Sequence, residues 1–297
     1  MKRILTLIAF AIMLGIATQA TNRALLVAID SYAPDTKWNE IHATNDVKLI
    51  KPELVKHGFK ENNIKVLENR NAKFAAIVNA INTLTDSCQK GDIVYLHFSC
   101  HGQLMDDITG RESDGFAEAL VPYDACKEPS DTYKGQNHLL DSKLASLLEA
   151  LRVKLGKKGR LLVVLDACHS DGAYVVRGGN SPSLRGTDKV FTRGNATNKS
   201  AKKVKTRPFP TGKAKGQAQQ IVIFACQSGQ QCGEMYRQKP ERMSNINGIL
   251  SFSVFKAIES QKAGTFDIKK IADKTVSESI ILQKKQRKQT IGYNQLN

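Results

Sequence analysis

Three apolar runs organise the chain, and each stops abruptly at small polar and reactive residues. They are GDIVYLHFSCHG at 91–102, GRLLVVLDACHS at 159–170 and IVIFACQS from Ile221. A continuous run of this length and β-branched content reads as a strand buried on both faces. RALLVAI at 23–29 and IKVLEN at 64–69 read as two shorter strands. Between them lie helical patterns. One carries Ile50, Leu54 and Val55 on one side and ends at Gly58, a C-cap residue. Others run from about Lys73 to Leu84, Leu139 to Lys154, Gly248 to Ser260 and Asp267 to Gln283. The polar and acidic stretch 106–118 is expected to be a loop.

Apolar strands alternating with helices predict an α/β fold whose mostly parallel sheet is covered on both faces. In such sheets chemistry collects beyond the C-terminal ends of the strands. Three strands here end in Ser-Cys-His-Gly, Asp-Ala-Cys-His-Ser and Ala-Cys-Gln-Ser. Segment 177–219 breaks the alternation, being rich in Gly, Ser, Asn, Thr, Lys and Arg. It divides a large part, 21–176, from a small part, 220–297. The small part is too short to fold alone, so 21–297 reads as one domain interrupted by a linker.

Composition changes this picture in three places. Lys2 and Arg3, the apolar run Ile4–Ile16 and small residues at Thr18 and Ala20 read as a secretory signal peptide over 1–20, cleaved near Ala20. The protein is therefore expected to be secreted or periplasmic, with no membrane span after cleavage. The formal net charge of +16 first suggests nucleic acid, but 177–219 holds eleven Lys and Arg against one acid, Asp188. The charge belongs to one segment, so no nucleic-acid partner is expected. The six cysteines are irregularly spaced, and no disulfide framework is required.

Cys168 and His101 end two of the strong strands. A thiol attacks a carbonyl only when a neighbour takes its proton and a donor assists the leaving amine, and imidazole does both near neutral pH. Gly102 lets backbone approach a substrate closely, and its N–H with that of Cys168 offers an oxyanion hole. A zinc site built from Cys100-His101 and Cys168-His169 is disfavoured, because adjacent strand residues face opposite ways. Nucleotide-binding glycine patterns and a GxSxG elbow are absent.

At these strand ends the chain resembles the caspase-like cysteine peptidases, in particular the metacaspase branch. The motifs are YLHFSCHGQ at 95–103, DGFAEALVPYD at 114–124 and VVLDACHSDG at 163–172, with Thr44-Asn45-Asp46 and Gly58-Phe59 also fitting. The likeness runs from about Arg23 to Ser260, and the animal caspase pentapeptide is replaced by Asp166-Ala167-Cys168-His169-Ser170.

The resemblance implies a three-layer caspase-like fold with a mostly parallel central sheet flanked by helices. It makes His101 and Cys168 the catalytic dyad. It also makes Asp46, Ser99 and Asp166 an S1 pocket for Arg or Lys, with Ala43 standing where many relatives have Cys. A buried carboxylate pairs a guanidinium bidentately and rejects neutral side chains, in agreement with that preference.

The expected partners are peptides and proteins with a basic P1 residue, met by a monomer that needs no cofactor. The basic linker then reads as a self-cleavage site in a zymogen. Calcium activation is the one cofactor question left open. Glu118 and Asp141 fall near the family's calcium positions, and Val175 falls near another. The competing readings are a clostripain- or gingipain-type peptidase, a non-catalytic caspase-like module and a polyanion-binding loop.

Overall fold

The computed structural model describes residues 20–107, 110, 115–168, 183–187, 189–193, 215–226, 232–237, 242–283 and 291–296. Eleven strands are described in chain order: β1 (Asn22–Ala28), β2 (Ile64–Glu68), β3 (Ile93–Ser99), β4 (Gly102–Asp106), β5 (Phe116–Leu120), β6 (Leu139–Leu140), β7 (Arg160–Asp166), β8 (Gln219–Phe224), β9 (Glu234–Tyr236), β10 (Ile246–Gly248) and β11 (Gly292–Leu296). Five longer helices accompany them: α1 (Thr44–Lys56), α2 (Phe74–Ser87), α3 (Asp141–Leu155), α4 (Ile249–Glu259) and α5 (Ile268–Gln283).

Six strands form the central sheet in the order β11-β8-β7-β3-β1-β2. All neighbours pair in parallel except β11, which runs antiparallel to β8. Period-two alternation divides the buried side chains between two faces. Leu26, Tyr95, Leu162, Val164 and Ile223 pack with Ile50 and Leu54 of α1, Leu250 and Val254 of α4 and Ile271 of α5. Leu25, Val27, Leu96, Val163 and Leu165 pack on the other face with Ile77 and Ile81 of α2 and Leu144, Leu148 and Leu151 of α3. This is the expected α/β fold with a mostly parallel sheet between helical layers.

Several boundaries differ from the sequence expectation. Val55 is 38% exposed, because it lies about 100° around α1 from the buried Leu54. Leu139 and Leu140 form β6 and pair with β5 before α3 begins. The expected loop 106–118 contributes residues to β4 and β5, an antiparallel hairpin outside the main sheet. The strands take only the two ends of the stretch, and residues 108–109 and 111–114 lie outside the described residues.

The linker differs most. Its described residues 183–187 and 189–193 are held against the domain rather than left as an exposed loop. Leu184 bridges Gly233 antiparallel, Gly186 bridges Gly102 and Phe191 bridges Met105. Phe191 is fully buried with Met105, Ala119 and Tyr133. The leader-like residues 1–19 lie outside the described residues, and none of the described helices is long and apolar enough to cross a membrane.

Candidate active site

β3 and β7 are adjacent and in step, with Ser99 opposite Asp166. Their C-terminal ends therefore leave the sheet side by side, one leading to His101 and the other to Cys168. Both residues are buried, at 2% and 1% exposure.

The imidazole of His101 is fixed from several sides. Its backbone N–H donates to the Tyr32 hydroxyl at 2.7 Å, and its ring stacks on Trp38 with centroids 4.8 Å apart. Nε2 lies 2.8 Å from the carbonyl oxygen of Asn39. A carbonyl only accepts, so Nε2 carries the hydrogen. Burial pushes the imidazole down to about 4, so the ring is neutral near pH 7 and Nδ1 has its lone pair unprotonated. Nδ1 has no hydrogen-bond partner among the described residues. The ring thus presents a base at a buried position beside the strand ends.

The three pocket candidates come together around one guanidinium, that of Arg185. Nη2 lies 2.8 Å from Asp46 Oδ2, and Nη1 lies 3.2 Å from Asp166 Oδ2 and donates to Ser99 Oγ at 2.5 Å. A third carboxylate joins them, Glu234 Oε1 at 3.0 Å from Nη2. Arg185 and all three carboxylates are fully buried.

Each acid is held by further donors. Asp46 accepts from Asn247 Nδ2, Gly248 N and Ser99 Oγ. Asp166 accepts from the backbone and hydroxyl of Ser251 at 2.9 and 2.5 Å. The hydroxyl in turn accepts from His97 Nε2, whose Nδ1 receives the Tyr95 hydroxyl. Burial raises Asp166 to about 6, against the opposing pull of Arg185. Burial alone would raise Glu234 too, but bonds from His42 and Ser183 and the charge of Arg185 bring it down to about 2. Gly248 walls the pocket: a Cβ there would lie 2.1 Å from Asp166 Oδ2 and 2.6 Å from Arg185 Nη1.

The backbone of Arg185 is placed just as firmly. Its carbonyl oxygen accepts from Cys168 N at 2.8 Å and Gly102 N at 3.2 Å, the two donors singled out in the sequence. Its N–H donates to Cys232 O at 3.2 Å. The next residue, Gly186, lies so close that an added Cβ would come within 2.4 Å of Cys168 O and 2.9 Å of Cys168 Cβ. The Arg185–Gly186 peptide therefore lies against Cys168, with a basic side chain in a carboxylate pocket and its carbonyl between two N–H donors.

Glu234, Ser251, Asn247 and Gly248 were missed in the sequence. Glu234 and Asn247 sit in short strands, and Gly248 and Ser251 at the start of the expected helical pattern, where nothing in the spacing marks them; only folding brings them to the strand ends. Glu118 on β5 and Asp141 at the start of α3 occupy adjoining positions, given the pairing of Ala119 with Leu140. Among the described residues they gather no third acid or histidine at metal-binding distance, and Val175 lies outside those residues. Calcium takes roughly 6–8 oxygens, and Glu112 and Asp114 of the same acidic stretch lie outside the described residues.

A fold with a thiol and an imidazole at adjacent strand ends, and acids grouped beside them, defines a site of the caspase-like class. The metacaspase, peptidase C14 domain family matches residues 22–176, more than half of the chain. The chain belongs to that family.

Metacaspase-1 of Eremothecium gossypii is 30% identical over 159 residues, 51% of this chain and 32% of that protein. Metacaspase-4 of Arabidopsis thaliana is 30% identical over 159 residues, covering 51% and 34%. Metacaspase III c of Phaeodactylum tricornutum is 32% identical over 162 residues, covering 52% and 44%. The chain thus spans less than half the length of these relatives. A crystal structure of a protein from Geobacter sulfurreducens shares the fold, with a TM-score of 0.60 and 19% identity, covering 93% of this chain and 94% of that one.

Proposed function

We propose that the chain is a cysteine endopeptidase that cuts after Arg or Lys, and that its own Arg185–Gly186 bond is the first it cuts. The observation that carries this reading is the double placement of Arg185, side chain among Asp46, Asp166 and Glu234 and carbonyl between Cys168 N and Gly102 N. A substrate poised for attack needs both. The two N–H groups stabilise the oxyanion formed when sulfur adds to the carbonyl carbon.

The chemistry follows from the tautomer. His101 Nδ1 takes the thiol proton of Cys168, and Asn39 O keeps the other ring nitrogen protonated. The thiolate adds to the Arg185 carbonyl carbon. Collapse breaks the bond to Gly186 N, which receives the proton from His101, and leaves a thioester. Water, deprotonated by the same imidazole, then releases the Arg185 carboxylate and restores the thiol. All groups used are protein groups. Export through the leader-like segment 1–20 belongs to this reading and is tested by N-terminal sequencing of the mature chain.

The uncut chain blocks itself, because segment 183–187 occupies the place of a substrate. Incubating wild type and Cys168→Ala side by side tests the reading. Wild type is expected to yield a new N-terminus at Gly186 at a rate independent of protein concentration, since the bond is already in its own site. Only the cut chain should then turn over short peptides ending in Arg or Lys, and not in Asp. Equal fragmentation of both proteins, or an intact wild type, refutes it.

A further inference from the structure

Three thiols meet at the site, and only Cys168 has a role in the chemistry above. Sγ of Cys226 lies 3.7 Å from Sγ of Cys168, in van der Waals contact. The sulfurs of Cys168, Cys226 and Cys232 all lie within 4.8 Å of one another. Topology produces the contact: β7 and β8 are parallel neighbours, and Ala225 N donates to Leu165 O just beyond the end of β8. Cys226 therefore follows β8 as Cys168 follows β7.

We propose that Cys226 is a resolving thiol for Cys168, and that a hydroperoxide converts the pair into a reversible disulfide. Neighbouring strands lie ~4.8 Å apart. A disulfide tolerates Cα separations of roughly 4.4–6.8 Å. The sulfurs must close from 3.7 Å to about 2.05 Å, which side-chain rotation supplies. A zinc site is the competing use of three thiols. A closed structural site needs four ligands, and no fourth ligand joins the three among the described residues.

The step balances. The thiolate of Cys168 attacks the terminal oxygen of the hydroperoxide, breaks the O–O bond and becomes a sulfenic acid, releasing an alcohol. Cys226 then attacks that sulfur, the S–S bond forms and water leaves. Two thiols lose two electrons, and one peroxide gains them. Without a neighbour the sulfenic acid goes on to sulfinic acid, which thiol reductants do not reverse. Cys226 thus protects the thiol that it disables. The bond stands on the geometry of the pair, whereas its effect on turnover rests on Cys168 being the nucleophile.

The experiment treats the full-length chain with tert-butyl hydroperoxide, alkylates remaining thiols and maps peptides by mass spectrometry without reduction. This readout needs no peptidase activity. The expected result is a Cys168–Cys226 linked pair that dithiothreitol opens, both in wild type and in Cys232→Ala. In the Cys226→Ala/Cys232→Ala variant, Cys168 should instead gain two oxygens and stay oxidised after dithiothreitol. A Cys226–Cys232 or Cys168–Cys232 bond in wild type overturns the proposal, as does sulfinic acid at Cys168 to the same extent in wild type and double variant. If the linked pair forms and peptide turnover is unaffected, the proposal stands and the nucleophile assignment fails.

Discussion

The two ends of the central sheet handle buried charge in opposite ways. At the N-terminal edge, Asp92 joins Arg23 at 3.2 Å, and the side chains are 3% and 19% exposed. Asp92 also accepts from the backbone of Thr21 and Gln89. One acid meets one base, and both belong to the domain. At the C-terminal edge, three carboxylates surround one guanidinium, all without contact with water. The acids come from α1, β7 and β9, whereas the base comes from a segment outside the sheet. A structural pair needs no such excess. Acids gathered by the fold around a cation on a separate segment are the arrangement from which the basic-residue pocket is proposed.

Removing one pocket acid is the strongest challenge to this contrast. Asp166→Asn is expected to lower kcat/KM on Arg-ending peptides on the order of 100-fold, the scale for breaking a desolvated charge pair. The effect should be read in cut protein, and peptides ending in neutral residues should gain relative to Arg. An equal loss on all peptides would make Asp166 a scaffold residue. Glu234→Gln should weaken the same preference, because its carboxylate touches the same guanidinium nitrogen as Asp46.

Arg185→Ala, made in the Cys168→Ala background, tests whether the cation is detachable. Breaking a pair that stays buried costs ~3–5 kcal/mol. Here the freed segment can leave and admit water, so the denaturation midpoint should move by less than that. Hydrogen exchange should show lost protection at Cys232–Glu234 and at residue 185. A full loss of stability with an ordered segment would make Arg185 a core residue.

The pH dependence of stability should be smaller and smooth. Burial holds His97, His101 and His138 neutral, pushed down to about 4, about 4 and about 3. Unfolding returns each toward ~6.5. Between roughly pH 4 and 6.5 the unfolded chain therefore binds more protons, and stability rises with pH. Asp166, raised to about 6, acts in the opposite sense over the lower part of that window, one group against three. Urea midpoints across it should climb, and His101→Gln should flatten the climb.

The smallest effect belongs to Arg23→Ala, about 0–1 kcal/mol, because Asp92 keeps its two backbone donors and its neighbour is partly solvated. A loss as large as that of Arg185→Ala would erase the contrast between the two ends.

The sheet was legible because its strands are uninterrupted apolar runs, and their order of burial needs only period two. The strand-end residues were legible because Cys168, His101 and Asp166 lie within those runs. The held part of the linker was not legible: Leu184, Gly186 and Phe191 bridge Gly233, Gly102 and Met105, and no local pattern in this polar stretch marks them. Glu234 and Ser251 carried no local signal, because their role arises from contacts with Arg185 and Asp166 more than 45 residues away in sequence. Such separations are set by topology, and no pattern of spacing encodes them.

The bridges on either side of Arg185 carry one more consequence. Leu184 pairs with Gly233 and Gly186 with Gly102 through backbone alone, so on the proposed reading a substrate would add as a short strand rather than dock as a folded surface. Any chain that takes the place of 183–187 must lie extended through the same positions. A lysine or arginine within a stable helix would carry the right charge in the wrong shape. Local unfolding of the target, rather than its abundance of basic residues, would then decide where the cut falls.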